Sequence, residues 1–119
     1  APNYDAASVD AAGRGLAEAG IPARIMIDFS HNNSSKKPEK QVDVGHDVAR
    51  QIAAGDDRIF GVMVESHLKA GRQDLVPGKP LAYGVSITDG CIGWEESRTL
   101  LDTLADGVRK RRLKTVAAD

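Results

Sequence analysis

Several things are scarce in this chain, and each scarcity narrows what it can be. It holds one cysteine, Cys91, in 119 residues. No internal disulfide can form, which fits a reducing, cytoplasmic setting. Charge of one sign is missing too: 16 Lys and Arg against 17 Asp and Glu leave a net charge of -1. No broad basic field is present for nucleic acid or an anionic membrane. No apolar run approaches the roughly 18–20 residues of a membrane-spanning helix. Neither a signal peptide nor an initiator Met is visible, and Ala1-Pro2-Asn3 reads as the start of a processed chain or of one cut from something longer. Walker loops, dinucleotide glycine fingerprints, Cys-x-x-Cys and His-Glu-x-x-His are all absent.

What is present is a globular composition, 41% hydrophobic and 28% charged, enough for one small domain with a modest core. Asp5 is placed to cap a first helix with Val9, Ala12, Leu16 and Ala19 at helical spacing, stopped by Gly20 and Pro22. Residues Arg24 to His31 form a short β-branched apolar run that reads as a buried parallel strand. A polar loop, Asn32 to Lys37, leads to a second helix with Pro38 in its first turn. Val42, Gly45, Val48, Ala49 and Ile52 share its face, and Gly55 stands at the C-cap position. Arg58 to Glu65 reads as a second strand. The stretch Ser66 to Ile87 lacks periodicity, and a loop of about twenty residues in a compact domain is more often functional than filler. Thr88 or Asp89 is a candidate cap for a third helix through Trp94, Ser97, Leu101, Leu104 and Val108. The cationic run Arg109-Lys110-Arg111-Arg112 then suits a helix C-terminus, and Thr115 to Asp119 reads as a frayed tail. No internal repeat or domain linker interrupts the chain.

Helix, strand, helix, strand, helix is the order of an α/β protein with parallel strands. Two strands do not finish such a sheet, because both faces need covering. A (β/α)8 barrel takes about 250 residues, so the pattern predicts a piece of a larger architecture.

Both expected strands end in a polar side chain. Ile25, Ile27, Phe29 and His31 alternate onto one face, as do Ile59, Gly61, Met63 and Glu65. The C-terminal ends of parallel strands are where active sites assemble. Asp89, after the long loop, is placed to return to the same rim. An imidazole and two carboxylates suit Mn, Fe, Co or Zn better than Ca or Mg. The spacings, 34 residues from His31 to Glu65 and 24 from Glu65 to Asp89, match no short metal motif. The competing readings are a His31 that caps the next helix, a solvated strand end at Glu65 and a plain N-cap at Asp89. Cys91 reads as a small core residue rather than a thiolate ligand, His67 as a loop side chain near the site, and His46 as structural. Ser34, Ser35, Lys36 and Lys37 form a solvated loop or, less simply, a phosphate contact near a helix start.

Three segments carry a family resemblance. Asp28-Phe29-Ser30-His31-Asn32-Asn33-Ser34-Ser35-Lys36 resembles the DxSHxNSxK segment of class I 3-deoxy-D-arabino-heptulosonate-7-phosphate synthases. Met63-Val64-Glu65-Ser66-His67-Leu68 is similar to their MxES segment, and Tyr83 through Glu95 to their YGxSxTDxCxxWE segment. Ala1-Pro2-Asn3-Tyr4 is similar to the residues just after their RGGK motif. The resemblance covers nearly the whole chain, in order. Asn32 departs from the Gly or Ala common at its position. Related octulosonate-phosphate synthases share the barrel chemistry but fit the third segment poorly.

The resemblance implies that residues 1–119 are the C-terminal part of a single (β/α)8-barrel synthase domain, carrying its seventh and eighth strands and ending in a basic tail, 109–119. It implies condensation of phosphoenolpyruvate with erythrose 4-phosphate, the opening step of the shikimate pathway. By motif, His31, Glu65 and Asp89 are three of the four ligands of a divalent metal (Mn, Fe, Co or similar). The fourth, a Cys, and most phosphate-binding Arg and Lys residues belong to upstream segments. Cys91 matches a family cysteine that is not the ligand. The isolated chain is then expected to be inactive, to bind metal weakly and to self-associate, with no nucleic-acid or membrane partner. The alternative is a standalone, non-catalytic α/β module that self-associates through exposed strand edges.

Overall fold

In the computed structural model, which describes residues 1–118, three helices pack on a two-stranded parallel sheet. Helix α1 spans Ala6–Glu18. Asp5 caps it as expected, its carboxylate accepting from the Ser8 backbone N–H at 3.2 Å. Gly20, at φ 72, ends it in the left-handed conformation that costs glycine least. Strand β1, Ile25–Asp28, pairs with β2, Ile59–Met63. Both are shorter than the apolar runs implied, so His31 and Glu65 lie past the strand ends. Helix α2 spans Lys40–Ala53, with Pro38 in the turn before it rather than within it. Helix α3 spans Trp94–Ala118.

The core lies between the sheet and the α2–α3 layer. Ile27, Phe29 and Ile59 are buried there with Val44, Val48, Ile52, Leu100 and Leu104, and Val62 and Val64 pack against them. An irregularity in register corrects the expected stripe on β2. Ile25 pairs with Ile59 but Met26 with Gly61, so β2 carries one extra residue. Ile59, Val62 and Val64 therefore share the core, while Gly61 faces the Met26 side chain. Met26 (57% exposed) and Phe60 (64%) are left on the open face. Glycines let α2 and α3 approach closely: a Cβ on Gly107 would sit 2.9 Å from the Ala49 carbonyl oxygen.

Helix α3 differs from the sequence reading at both ends. It begins at Trp94, so neither Thr88 nor Asp89 caps it. Its buried face is set by Leu100, Leu104 and Gly107, leaving Trp94 and Leu101 exposed. At the other end no Gly or Pro interrupts the good helix formers after Val108, and the helix continues to Ala118. Thr115 to Ala118 are helical, and Asp119 lies outside the described residues. The cationic run is thus inside α3, and two cations nearby serve a different helix end. Arg111 donates to the Asp56 carbonyl at 2.9 Å, and Lys114 reaches the carbonyl of Ala54, the C-cap of α2, at 3.4 Å.

Candidate metal centre

His31 opens a single 3-10 turn, His31–Ser34, immediately beyond β1. It leaves the strand face by adopting φ 55, and Ser35 and Lys36 also sit at positive φ, 53 and 60. For non-glycine residues each such conformation costs on the order of 1 kcal/mol and persists only when the surroundings impose it. Asp28 imposes much of it here. Its carboxylate accepts from the Ser30 backbone N–H at 2.7 Å and lies 2.8 Å from His31 Nδ1. Asn33 Nδ2 donates to the Asp28 carbonyl at 2.7 Å, closing the turn. His31 does not cap α2, whose N-cap position is Glu39.

With Nδ1 held by Asp28, the imidazole presents Nε2 to two carboxylates. Nε2 lies 3.7 Å from Glu65 Oε1 and 3.8 Å from Asp89 Oδ2. One donor atom from each of His31, Glu65 and Asp89 falls within 4.8 Å of the others. The three residues share a cavity of about 320 Å³ with Ser30, Lys36 and Arg72.

Asp89 reaches Glu65 because the long loop is pinned at its base. Ile92 N–H donates to the Glu65 carbonyl at 3.0 Å, and Gly71 and Cys91 exchange backbone hydrogen bonds at 2.9 and 3.1 Å. Arg72 Nε donates to the carbonyl of Thr88 at 2.9 Å, one residue before Asp89. Both amide atoms of Gln73 bond the backbone of Ala82, and its Nε2 also reaches Val85. The segment Ser66 to Ile87, legible only as an aperiodic loop, is thus a clamp.

The electrostatics follow from this crowding. Asp28, hydrogen-bonded to Nδ1, holds the His31 imidazole above its ordinary value, and the charges of Glu65 and Asp89 add to the effect. Partial burial pushes Glu65 up, reinforced by the neighbouring Asp89 charge, although His31 works in the opposite direction. Burial also works to raise Asp28, but the hydrogen bonds from Ser30 and His31 together outweigh it and hold that carboxyl low. An excess of negative charge around one imidazole is what a divalent cation relieves. Two ligands each about 2.1 Å from an ion stand at most about 4.2 Å apart, and the two separations from Nε2 fall inside that span. The imidazole and two carboxylates are donors of the kind a borderline divalent metal takes, and the two separations from Nε2 leave room for such an ion between them.

The remaining candidates are not among the three converging donors. Cys91 is buried and burial pushes its thiol up, the behaviour of a small core residue. His67 accepts from the Leu68 N–H through its own Nδ1 at 2.8 Å, and His46 is exposed on α2. Lys36 lines the cavity, Ser34 is buried, and Ser35 and Lys37 are exposed. Two supporting residues escaped the sequence reading. Asp28 stands three residues before His31, where a short Asp-x-Ser turn was its only signal. Gln41 stands on the apolar face of α2, where an uncharged amide among Val44, Gly45 and Val48 had to find partners.

A profile described as the DAHP synthetase I family matches residues 1–102. The chain belongs to that family. It is 59% identical over 111 residues to the Phe-sensitive phospho-2-dehydro-3-deoxyheptonate aldolase of Escherichia coli strain K12, which covers 93% of this chain and 32% of the relative. It is 52% identical over 115 residues to the tyrosine-inhibited enzyme of Schizosaccharomyces pombe, covering 93% and 31%. The solved structure of phospho-2-dehydro-3-deoxyheptonate aldolase from Francisella tularensis SCHU S4 superposes with a TM-score of 0.87 at 45% identity, covering 92% of this chain and 32% of that one. The chain spans about a third of the length of the relatives it matches. Its two parallel strands and three helices are accordingly part of a DAHP synthase barrel.

Proposed function

We propose that this chain supplies three of the metal ligands of a 3-deoxy-D-arabino-heptulosonate 7-phosphate synthase, within a single barrel domain that includes residues 1–119. In this reading His31, Glu65 and Asp89 hold a divalent cation such as Mn, Fe or Co. The observation that carries it is the convergence of one imidazole and two carboxylates, drawn from three separate segments, within 4.8 Å. Family membership and the fit of the donor set support it.

The reaction is the condensation of phosphoenolpyruvate with erythrose 4-phosphate, the first step toward the aromatic amino acids. A bound divalent cation supplies Lewis-acid polarisation of the aldehyde carbonyl. In the tautomer with its proton on Nδ1, facing Asp28 and Ser30, His31 offers Nε2 as a neutral donor. Glu65 and Asp89 contribute the anionic donors, and the clamp over residues 66–92 fixes the distance between them. Lys36 and Arg72, on the cavity wall, add positive charge beside the site, in keeping with two phosphorylated substrates.

No helix of the described residues is long and apolar enough to cross a membrane. With its lone cysteine, the chain is read as working in the cytoplasm, with neither nucleic acid nor membrane as partner. The decisive experiment compares the native-length protein with variants at the three donors. Condensing activity and Mn2+ affinity are both expected to fall at least 100-fold in His31→Ala, Glu65→Gln and Asp89→Asn. Wild-type metal affinity in all three would overturn the assignment. The 119-residue chain alone is expected to be inactive and to bind Mn2+ weakly, and submicromolar affinity by calorimetry would contradict that.

A further inference from the structure

Helix α2 buries one polar side chain completely. Gln41 is 0% exposed, the most enclosed polar residue among those described. A primary amide offers an acceptor and two N–H donors, and burial requires partners for them. Gln41 Oε1 accepts from the Glu65 backbone N–H at 2.8 Å, and Nε2 donates to the carbonyl of the same residue at 3.0 Å. Nε2 also reaches the Pro38 carbonyl at 3.3 Å.

The side chain thus makes with Glu65 the pair of bonds that a neighbouring strand would make. Glu65 needs such a partner, because it stands two residues past the end of β2. Its carbonyl accepts a second bond, from Ile92 N–H at 3.0 Å, three residues after Asp89. The backbone of Glu65 is therefore a junction between α2, the strand end and the returning loop.

We propose that Gln41 is a positioning residue for the cation site. It fixes the backbone of Glu65 and, through the carbonyl shared with Ile92, the approach of Asp89. Cation affinity then depends on a side chain that borders the cavity but whose amide is bonded to the backbone of Glu65 and Pro38 rather than offered to the cation. The inference rests on the reading of His31, Glu65 and Asp89 as the donor set.

The test uses Co2+ titrations of the native-length protein, followed by the visible absorption of the bound ion. Gln41→Met keeps the volume and removes both bonds. Gln41→Glu, which such burial keeps protonated, keeps an acceptor for the Glu65 N–H but has one O–H in place of two N–H donors. Val48→Ala cuts the same buried helix face without reaching Glu65, and serves as the stability control. Gln41→Met is expected to bind Co2+ about tenfold more weakly with an altered band shape, since supporting residues of metal sites typically carry 10–100-fold in affinity. Gln41→Glu is expected to fall between it and the wild type. Val48→Ala is expected to lower the thermal midpoint while retaining wild-type affinity and spectrum. If Gln41→Met fails to fold, Gln41→Glu carries the comparison. Wild-type affinity and spectrum in the Gln41 variants, with loss in Glu65→Gln, would overturn the positioning role and leave the donor set standing. Equal weakening in Val48→Ala would overturn the positioning role as well. Wild-type binding in Glu65→Gln would overturn both readings.

Discussion

Asp28 Oδ2 lies 2.8 Å from Nδ1 of His31, so one carboxylate fixes which imidazole nitrogen faces the cavity. A carboxylate in this position orients the ring and raises its basicity as a ligand. Replacing Asp28 with Asn removes the charge while preserving shape. The His31 pKa is then expected to fall toward the ordinary histidine range, because Asp28 is the main cause of its elevation. Mn2+ affinity is expected to weaken about tenfold. Ring-proton NMR titration reads the first effect and calorimetry the second. An unchanged His31 titration would show that Asp28 does not control the ring.

With His31, Glu65 and Asp89 holding the cation as proposed, protons would compete with it, and the direction of that competition is set by the same shifts. His31 is raised above its ordinary value and Glu65 is raised above that of a free carboxylate. A protonated imidazole has no lone pair to give. Affinity should therefore fall as pH drops through the elevated His31 pKa, and binding near neutral pH should release a measurable fraction of a proton. Calorimetry in buffers of different ionisation enthalpy counts that release. Affinity that stays flat between about pH 8 and pH 6 would exclude His31 as a ligand.

The sequence carried the ingredients of this site better than its placement. Apolar runs around Ile27 and Val62 marked the strands, and their polar ends pointed to one rim, where His31 and Glu65 converge with Asp89. Alternation failed to place His31, because a left-handed φ takes it off the strand face. It failed on β2 because one extra residue shifts the stripe after Ile59. Both departures are backbone events imposed by tertiary partners, which periodicity cannot register. For Asp89 the sequence offers both a return to the rim and a helix cap, since Asp favours that position, and pairing between segments 71–73 and 86–91 decides between them. Asp5, whose role is local, was legible at once.

Asp56 anchors the start of β2 to Arg58, with paired bonds at 3.0 and 2.8 Å, and Arg58 reaches on to Asp10 of α1. The guanidinium of Arg58 holds the Asp56 carboxyl below its ordinary value. A depressed folded-state pKa gives stability that is fully present above the unfolded value, about 3.9, and lost as pH falls through the folded one. Asp56→Asn is expected to cost about 1–2 kcal/mol at pH 7, with the deficit closing as the pH drops below about 3.9. Urea unfolding at pH 7 and pH 3 measures both. A deficit of the same size at both pH values would mean that charge plays no part.

Two helical glycines should respond oppositely to alanine. Gly15 on α1 has open space where a Cβ would stand. Gly15→Ala is expected to stabilise by up to about 1 kcal/mol through helix propensity. At Gly107 the added carbon would meet the Ala49 carbonyl oxygen at 2.9 Å, and backbone yields little. Gly107→Ala is expected to destabilise by about 1–3 kcal/mol by pushing α2 and α3 apart. Thermal unfolding of the two variants checks the contrast, and a stable Gly107→Ala would mean that the helix pair has slack.

The open face of the sheet governs how the 119-residue chain behaves by itself. Met26 and Phe60 lie exposed on it, and among the described residues each strand has one edge without a strand partner. Exposed edges of a short parallel sheet invite pairing between chains, and an apolar face that helices do not cover favours burial in a contact. Expressed alone, the chain is expected to run as a dimer or larger species at micromolar concentration. Light scattering coupled to size exclusion determines its mass. Phe60→Lys places a charge on that face without entering the core, so it should shift the population toward monomer while leaving the helical circular dichroism intact. A wild-type chain that is monomeric and cooperatively folded at the same concentration would show that the helical layer alone buries enough surface. The exposed sheet would then not drive association.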